Sequence, residues 1–123
     1  VSFLQTLKPA PSLLAARKSD TAASVLRGQE LFLQCSCQEC HTPPAYTAAG
    51  TYDVGIHDEY GIKQFNPPSL LGVSQRNQFF HDNRAANLKD VFLKFNHPQT
   101  GQKDIAPLTP DQVADLIHFL QTL

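Results

Sequence analysis

Cys37-Gln38-Glu39-Cys40-His41 places two thiols three residues apart, with an imidazole directly behind the second. On one turn of helix, side chains at i and i+3 point the same way. Both sulfurs of such a pair can reach the two vinyl groups along one edge of a haem. The histidine that follows can turn its ring under the porphyrin and bind the iron. This spacing is the C-x-x-C-H signature of covalent c-type haem attachment, which predicts one haem c held by Cys37, Cys40 and His41.

Three other chemistries use the same residue types. Cys35, Cys37, Cys40 and His41 are four potential zinc donors, but they crowd into one short segment. Structural zinc sites more usually bring two ligand pairs from separate segments. A thioredoxin-like C-x-x-C needs a βαβ setting that this chain does not show. A buried disulfide without a redox role is the third. The haem reading leads, and it leaves Cys35 over as a spectator thiol, or as a partner for another chain if it is exposed.

A haem pentapeptide needs elements to hold it, and hydrophobic period and punctuation predict three helices. The first runs from about Thr21 to Gln34 after a Ser19-Asp20 start signal, with Val25, Leu26, Phe32 and Leu33 as its apolar residues. It contains Gly28, which costs about 1 kcal/mol relative to Ala inside a helix and is tolerable where another helix must come close. The second runs from about Leu88 to Phe95 behind an Asn87 cap, with Leu88, Val91, Phe92 and Phe95 on one face. The third runs from Pro110 to about Thr122, with Thr109, Pro110 and Gln112 forming a cap, a first-turn proline and a capping box. Its stripe is Val113, Leu116, Ile117 and Leu120. The first and last helices are expected to cross at Gly28, with Phe32 packed at the crossing.

Residues 42–86 show no clean strand alternation and read as one long loop, with a short helical turn near Leu70–Val73. A loop of that length argues against a compact domain unless it wraps a large rigid ligand. The expected fold is therefore all-α and cytochrome c-like: three main helices with long haem-wrapping loops.

Phe3-Leu4-Gln5-Thr6-Leu7 recurs letter for letter as Phe119-Leu120-Gln121-Thr122-Leu123, and Lys8-Pro9-Ala10-Pro11-Ser12 follows the first copy as a linker-like stretch. This suggests that residues 1–18 are the end of a preceding, similar domain plus a linker, and that residues 19–123 form the c-type cytochrome domain. With 123 residues, 10 Lys and Arg against 11 Asp and Glu, and no run of either sign, the chain lacks the basic footprint of a nucleic-acid binder. No apolar stretch approaches the roughly 20 residues of a membrane span, and Val1 does not open a signal peptide. An exported protein would then be seen here as a mature chain or a piece of one.

Further motifs carry a resemblance. Arg27-Gly28-Gln29-Glu30-Leu31-Phe32, Tyr52-Asp53-Val54-Gly55, Phe65-Asn66-Pro67-Pro68-Ser69-Leu70-Leu71-Gly72-Val73, Phe79-Phe80-His81-Asp82-Asn83-Arg84, Leu88-Lys89-Asp90-Val91 and Leu108-Thr109-Pro110 occur in order around the pentapeptide. Together they resemble the C-terminal haem domain of the bacterial dihaem cytochrome c peroxidase and MauG superfamily. The resemblance spans about residues 22–123. It implies tandem haem domains and an electron-transfer haem whose distal ligand is a Met or Tyr. The matching position here is Phe95, the chain has no Met, and Asn83 stands where the family usually has Gly. The inherited ligand role therefore fails.

That leaves His81, His97, His57, His118 or an open position on the distal side. His81 is the first choice as distal iron ligand, because it lies in a loop just before a helix and follows Phe79 and Phe80, neighbours that suit a haem pocket. The competing reading is a buried histidine that bonds the loop backbone. His97 lies just beyond the second helix, beside Phe95; His57 sits in a polar loop, and His118 falls off the helical stripe and is expected at the surface. The leading function is electron transfer with a neighbouring haem domain or redox protein. An open distal site would instead suit a haem peroxidase, with His81 or Asp82 as its acid/base group, or a small-ligand binder. Covalent haem attachment implies a periplasmic or extracellular bacterial location. The superfamily also uses a calcium ion, which would take Asn/Asp side chains and carbonyls that this sequence does not single out.

Overall fold

Two of the three expected helices meet where the chain has no side chain to keep them apart. The computed structural model of the protein describes residues 2–8, 21–98 and 105–123, so the Ser19-Asp20 start signal and most of the linker stretch lie outside the described residues. In chain order the helices are α1 (Ser2–Thr6), α2 (Ala22–Gln34), α3 (Cys37–Cys40), α4 (Leu88–Leu93) and α5 (Pro110–Leu120). A short 3-10 turn covers Val73–Gln75, close to the expected turn at Leu70–Val73.

α2 and α5 cross at Gly28. A β-carbon there would stand 2.0 Å from the Asp115 carbonyl oxygen and 2.8 Å from the Phe119 β-carbon. At the crossing, Phe32 tilts against Phe119 with ring centroids 5.4 Å apart and meets Tyr46 edge-on at 5.9 Å. Such pairs add about 0.5–1.5 kcal/mol each beyond area burial. Polar groups flank the apolar contact. Arg27 holds both carboxylate oxygens of Asp115 at 2.7 and 2.8 Å. Ser24 donates to the same carboxylate and meets His118 Nδ1 at 2.6 Å. His118 is thus half-buried and engaged in a clasp between the helices, where the surface had been expected.

This contact sets which face of α2 is inside. Gly28, Leu31 and Phe32 are buried with Val25 packed beside them, while Leu26 and Leu33, two of the four apolar residues of this helix named from the sequence, are 62% and 55% exposed. They lie a residue off the Val25–Phe32 row, about 100° around the helix, on the side away from α5.

The capping signals fold as expected. Thr109 Oγ1 accepts from the Gln112 N–H at 3.3 Å, and Gln112 Oε1 accepts from the Thr109 N–H at 2.9 Å. Asn87 Oδ1 accepts from the Asp90 N–H at 2.8 Å. α4 is shorter than expected, ending at Leu93 instead of Phe95. The long loop also contains a small sheet that the sequence did not suggest: Tyr52–Asp53 (β1) pairs antiparallel with Gln64–Phe65 (β2), Tyr52 opposite Phe65. Two residues per strand are too few to show alternation. The all-α, cytochrome c-like architecture otherwise stands.

Candidate haem site

The C-x-x-C-H segment is a helix broken and restarted. Cys35 caps α2, Ser36 takes a left-handed conformation with φ 55°, and Cys37–Cys40 form a single turn, α3, closed by the His41 N–H donating to the Cys37 carbonyl at 2.8 Å. Cys37, Cys40 and His41 all line one cavity of about 390 Å³, in the size range of small-molecule and cofactor pockets. Its walls come from Phe32 of α2, Leu116 and Leu120 of α5, Val91 and Phe92 of α4, and the loop residues Pro67 and Pro68. Apolar walls so disposed suit the faces of a large flat macrocycle.

His41 is oriented by the loop. Its Nδ1 lies 3.2 Å from the Tyr46 carbonyl oxygen and 3.1 Å from that of Pro68. Carbonyls only accept, so Nδ1 carries the proton and Nε2 keeps its lone pair for a metal. Burial lowers the His41 pKa, opposed by the two carbonyl contacts, which favours the neutral ring that binds iron. The carbonyls are held in place by stitching between two loop segments. Thr47 Oγ1 donates to the Pro67 carbonyl at 2.5 Å, Ser69 Oγ to the Ala45 carbonyl at 2.6 Å, and Asn66 Nδ2 to those of Ala48 and Gly50 at 2.8 and 2.9 Å.

All three cysteines are free thiols, so the disulfide alternative has no bond behind it. Burial raises the pKa of each, pushing Cys37 up to about 12. Among the described residues no three His, Cys, Asp or Glu side chains converge as a metal site. Cys35 is buried and, unlike Cys37 and Cys40, does not line the cavity.

Of the remaining histidines, two reach the cavity. His81 stacks face-on over Phe65, ring centroids 4.2 Å apart, with Nε2 3.9 Å from Asp82. Arg84 chelates Asp82 and donates to the His57 carbonyl at 2.8 Å. Its guanidinium holds the Asp82 carboxyl down at about 2. His97 meets Phe80 edge-on at 5.8 Å. Its pKa falls to about 4, chiefly through burial and secondarily through the neighbouring His41 charge. His57 is exposed and not on the lining, and neither His118 nor Phe95 lines it. Sequence reasoning missed the Tyr46 and Pro68 carbonyls, since backbone acceptors carry no residue signature. Arg76 was missed too. Among the described residues it is the one Lys or Arg on the lining, and it donates to the Ser69 carbonyl at 2.8 Å.

The family model for cytochrome c matches residues 25–123, which includes the pentapeptide, the stitched loop and the α2–α5 crossing. The chain belongs to the cytochrome c family. A cytochrome c domain carries covalently bound c-type haem and serves electron transport. Among curated proteins, this cytochrome c domain is similar to the cytochrome c551 peroxidase of Nitrosomonas europaea, 24% identical over 115 residues, covering 80% of this chain and 33% of that protein. Among solved structures it is similar to hydrazine synthase of Kuenenia stuttgartiensis, pressurized with xenon, with a TM-score of 0.74 at 20% identity, over 98% of this chain and 52% of that one. The chain thus spans a third of the curated relative and about half of the structural one, and the latter likeness is one of fold. Among the described residues no helix is long and apolar enough to cross a membrane.

The residues present fit the cofactor the family implies. Two thiols and an imidazole with a fixed tautomer share an apolar cavity, and each comes from the segment the C-x-x-C-H spacing requires.

Proposed function

We propose that this cytochrome c domain is an electron-transfer module with one haem, bound through Cys37 and Cys40 and held on its proximal side by His41. The observation that carries this is the His41 imidazole, whose Nδ1–H is engaged by two loop carbonyls while the ring faces the same cavity as both thiols. When bound, the haem supplies a one-electron iron couple. The chain's own contribution is to hold the imidazole still, exclude water with Phe32, Val91, Phe92, Leu116 and Leu120, and supply Arg76 as a cation on the lining that would offset the negative charge of the group's carboxylates. His81 and His97 both reach the lining, so either can complete the iron's coordination.

The electron partner is a neighbouring haem domain or a redox protein, in the bacterial periplasm or outside the cell. Residues 1–18 are read as the end of a preceding domain plus linker. The repeated pentapeptide supports this, as does the helix at Ser2–Thr6, since the second copy begins inside α5.

A peroxidase role is the second reading, favoured by the similarity to a cytochrome c551 peroxidase and by His81 on the cavity wall beside Asp82. Asp82 stays ionised down to about pH 2, so the acid/base work would fall to His81. Peroxide addition to the haem-loaded protein separates the two readings. Electron transfer predicts a reversible one-electron titration and no sustained peroxide consumption. Steady peroxide turnover with an added electron donor would overturn it in favour of the enzyme.

A further inference from the structure

The resemblance places the distal ligand at position 95, but Phe95 has no donor and turns away from the lining. Its ring packs edge-on against Phe80, centroids 5.5 Å apart, with Lys94 Nζ 5.2 Å from its own centroid. Two residues later the chain does bring a donor to the cavity.

The cause is how α4 ends. Asn96 adopts a left-handed conformation with φ 53°, and the His97 N–H reaches back to the Val91 carbonyl at 3.1 Å. The bond spans one residue more than the six-to-one bond of a Schellman stop, but the turn resembles one: a residue in the left-handed region reverses the chain and folds the next one back over the helix. Asparagine tolerates that conformation better than most residues with a β-carbon. The fold-back presses the His97 ring against Phe80, centroids 5.8 Å apart and planes at 75°. Phe80 is thereby wedged between Phe95 and His97, and the wedge limits how the imidazole can rotate. Buried Val91 and Phe92 and neighbouring Pro98 line the same cavity.

His81 is placed differently. It lies in the turn between Phe79 and Ala85, where its ring is held flat against Phe65 and its Nε2 faces the Asp82–Arg84 pair. Its side chain is 25% exposed. Stacking and a carboxylate neighbour already give that imidazole a fixed environment at the cavity edge.

We propose that His97 is the second axial ligand, so that the iron is held by two imidazoles, His41 and His97. This rests on the haem reading above and replaces the Met or Tyr implied by the resemblance. A Met/His pair raises the potential of a c-type haem, and a second imidazole withdraws that bias, which makes this domain a low-potential carrier.

The test uses the full chain loaded with haem, with His97→Ala, His97→Met and His81→Ala compared by EPR, absorption and carbon monoxide binding. Covalent haem retained by the wild type after acid extraction checks the haem reading separately; its loss would remove that reading and this proposal together. With haem retained, the expected wild-type signature is low-spin bis-imidazole and indifferent to carbon monoxide. His97→Ala should turn high-spin and bind carbon monoxide, whereas His81→Ala should keep the wild-type signature. His97→Met, which keeps a donor if the alanine variant folds poorly, should lose the bis-imidazole signal and shift the midpoint potential upward. A wild-type spectrum preserved in His97→Met, a high-spin change in His81→Ala alone, or a high-spin wild type would each overturn the assignment.

Discussion

A β-carbon at Gly28 would stand 2.0 Å from the Asp115 carbonyl oxygen. That atom is helix backbone and cannot swing aside, so the two helices would have to separate. In an isolated helix alanine would be preferred by about 1 kcal/mol. Here overpacking costs about 1–3 kcal/mol or more, and the clash should win. Gly28→Ala should lower the denaturation midpoint, and because Leu116 and Leu120 of the displaced helix line the cavity, haem retention should fall with it. An equally stable variant would mean the crossing is looser than described.

The three cysteines should separate cleanly. Cys37→Ser and Cys40→Ser should each leave one thioether, and the double variant should release its haem on acid extraction. Cys35→Ser should keep both links, since Cys35 is buried away from the cavity. Pyridine haemochrome spectra count the linkages. Loss of a link in Cys35→Ser would reassign the attachment.

Acid should undo the helix clasp. Asp115 is held down at about 2, first by the Arg27 hydrogen bonds and then by Ser24, against an ordinary value of 3.8. A carboxylate with a depressed folded pKa stabilises the fold above its unfolded value, and that contribution is lost as pH falls through the folded one. Stability should therefore drop between about pH 4 and pH 2. Asp115→Asn should flatten part of that slope in urea titrations at several pH values. Asp82, also held at about 2, should account for a further part. An unchanged slope would show that the Arg27 contact contributes nothing net in solution.

Asn66 bridges the carbonyls of Ala48 and Gly50 across the loop. Asn66→Ala removes two hydrogen bonds, each contributing about 0.5–1.5 kcal/mol net. It also loosens the segment that carries Pro68. A drop of about 1–3 kcal/mol in unfolding free energy is expected, measured by guanidinium denaturation of the haem-loaded chain. A neutral result would show the loop to be held by the remaining bonds of Thr47 and Ser69.

Much of this protein is local and therefore written in the sequence. A haem pentapeptide works through i, i+3 and i+4 spacing, so Cys37, Cys40 and His41 are legible from their order alone. Caps are equally local, and Thr109, Gln112 and Asn87 bond within their own helix ends as their types predict. The Gly28 crossing could be expected too, because a glycine inside an amphipathic helix is costly without a close neighbour. Tertiary structure decided what depends on partners distant in the chain. It set the inward face of α2, leaving Leu26 and Leu33 outside, because the direction of α5 cannot be read from α2's own period. It paired Tyr52 with Phe65 through strands too short to show alternation. It also brought the Tyr46 and Pro68 carbonyls to His41, and it turned the chain at Asn96 so that His97, and not the residue the motif count picked out, faces the cavity. Backbone acceptors and chain reversals have no side-chain signature, so only the folded arrangement could reveal them.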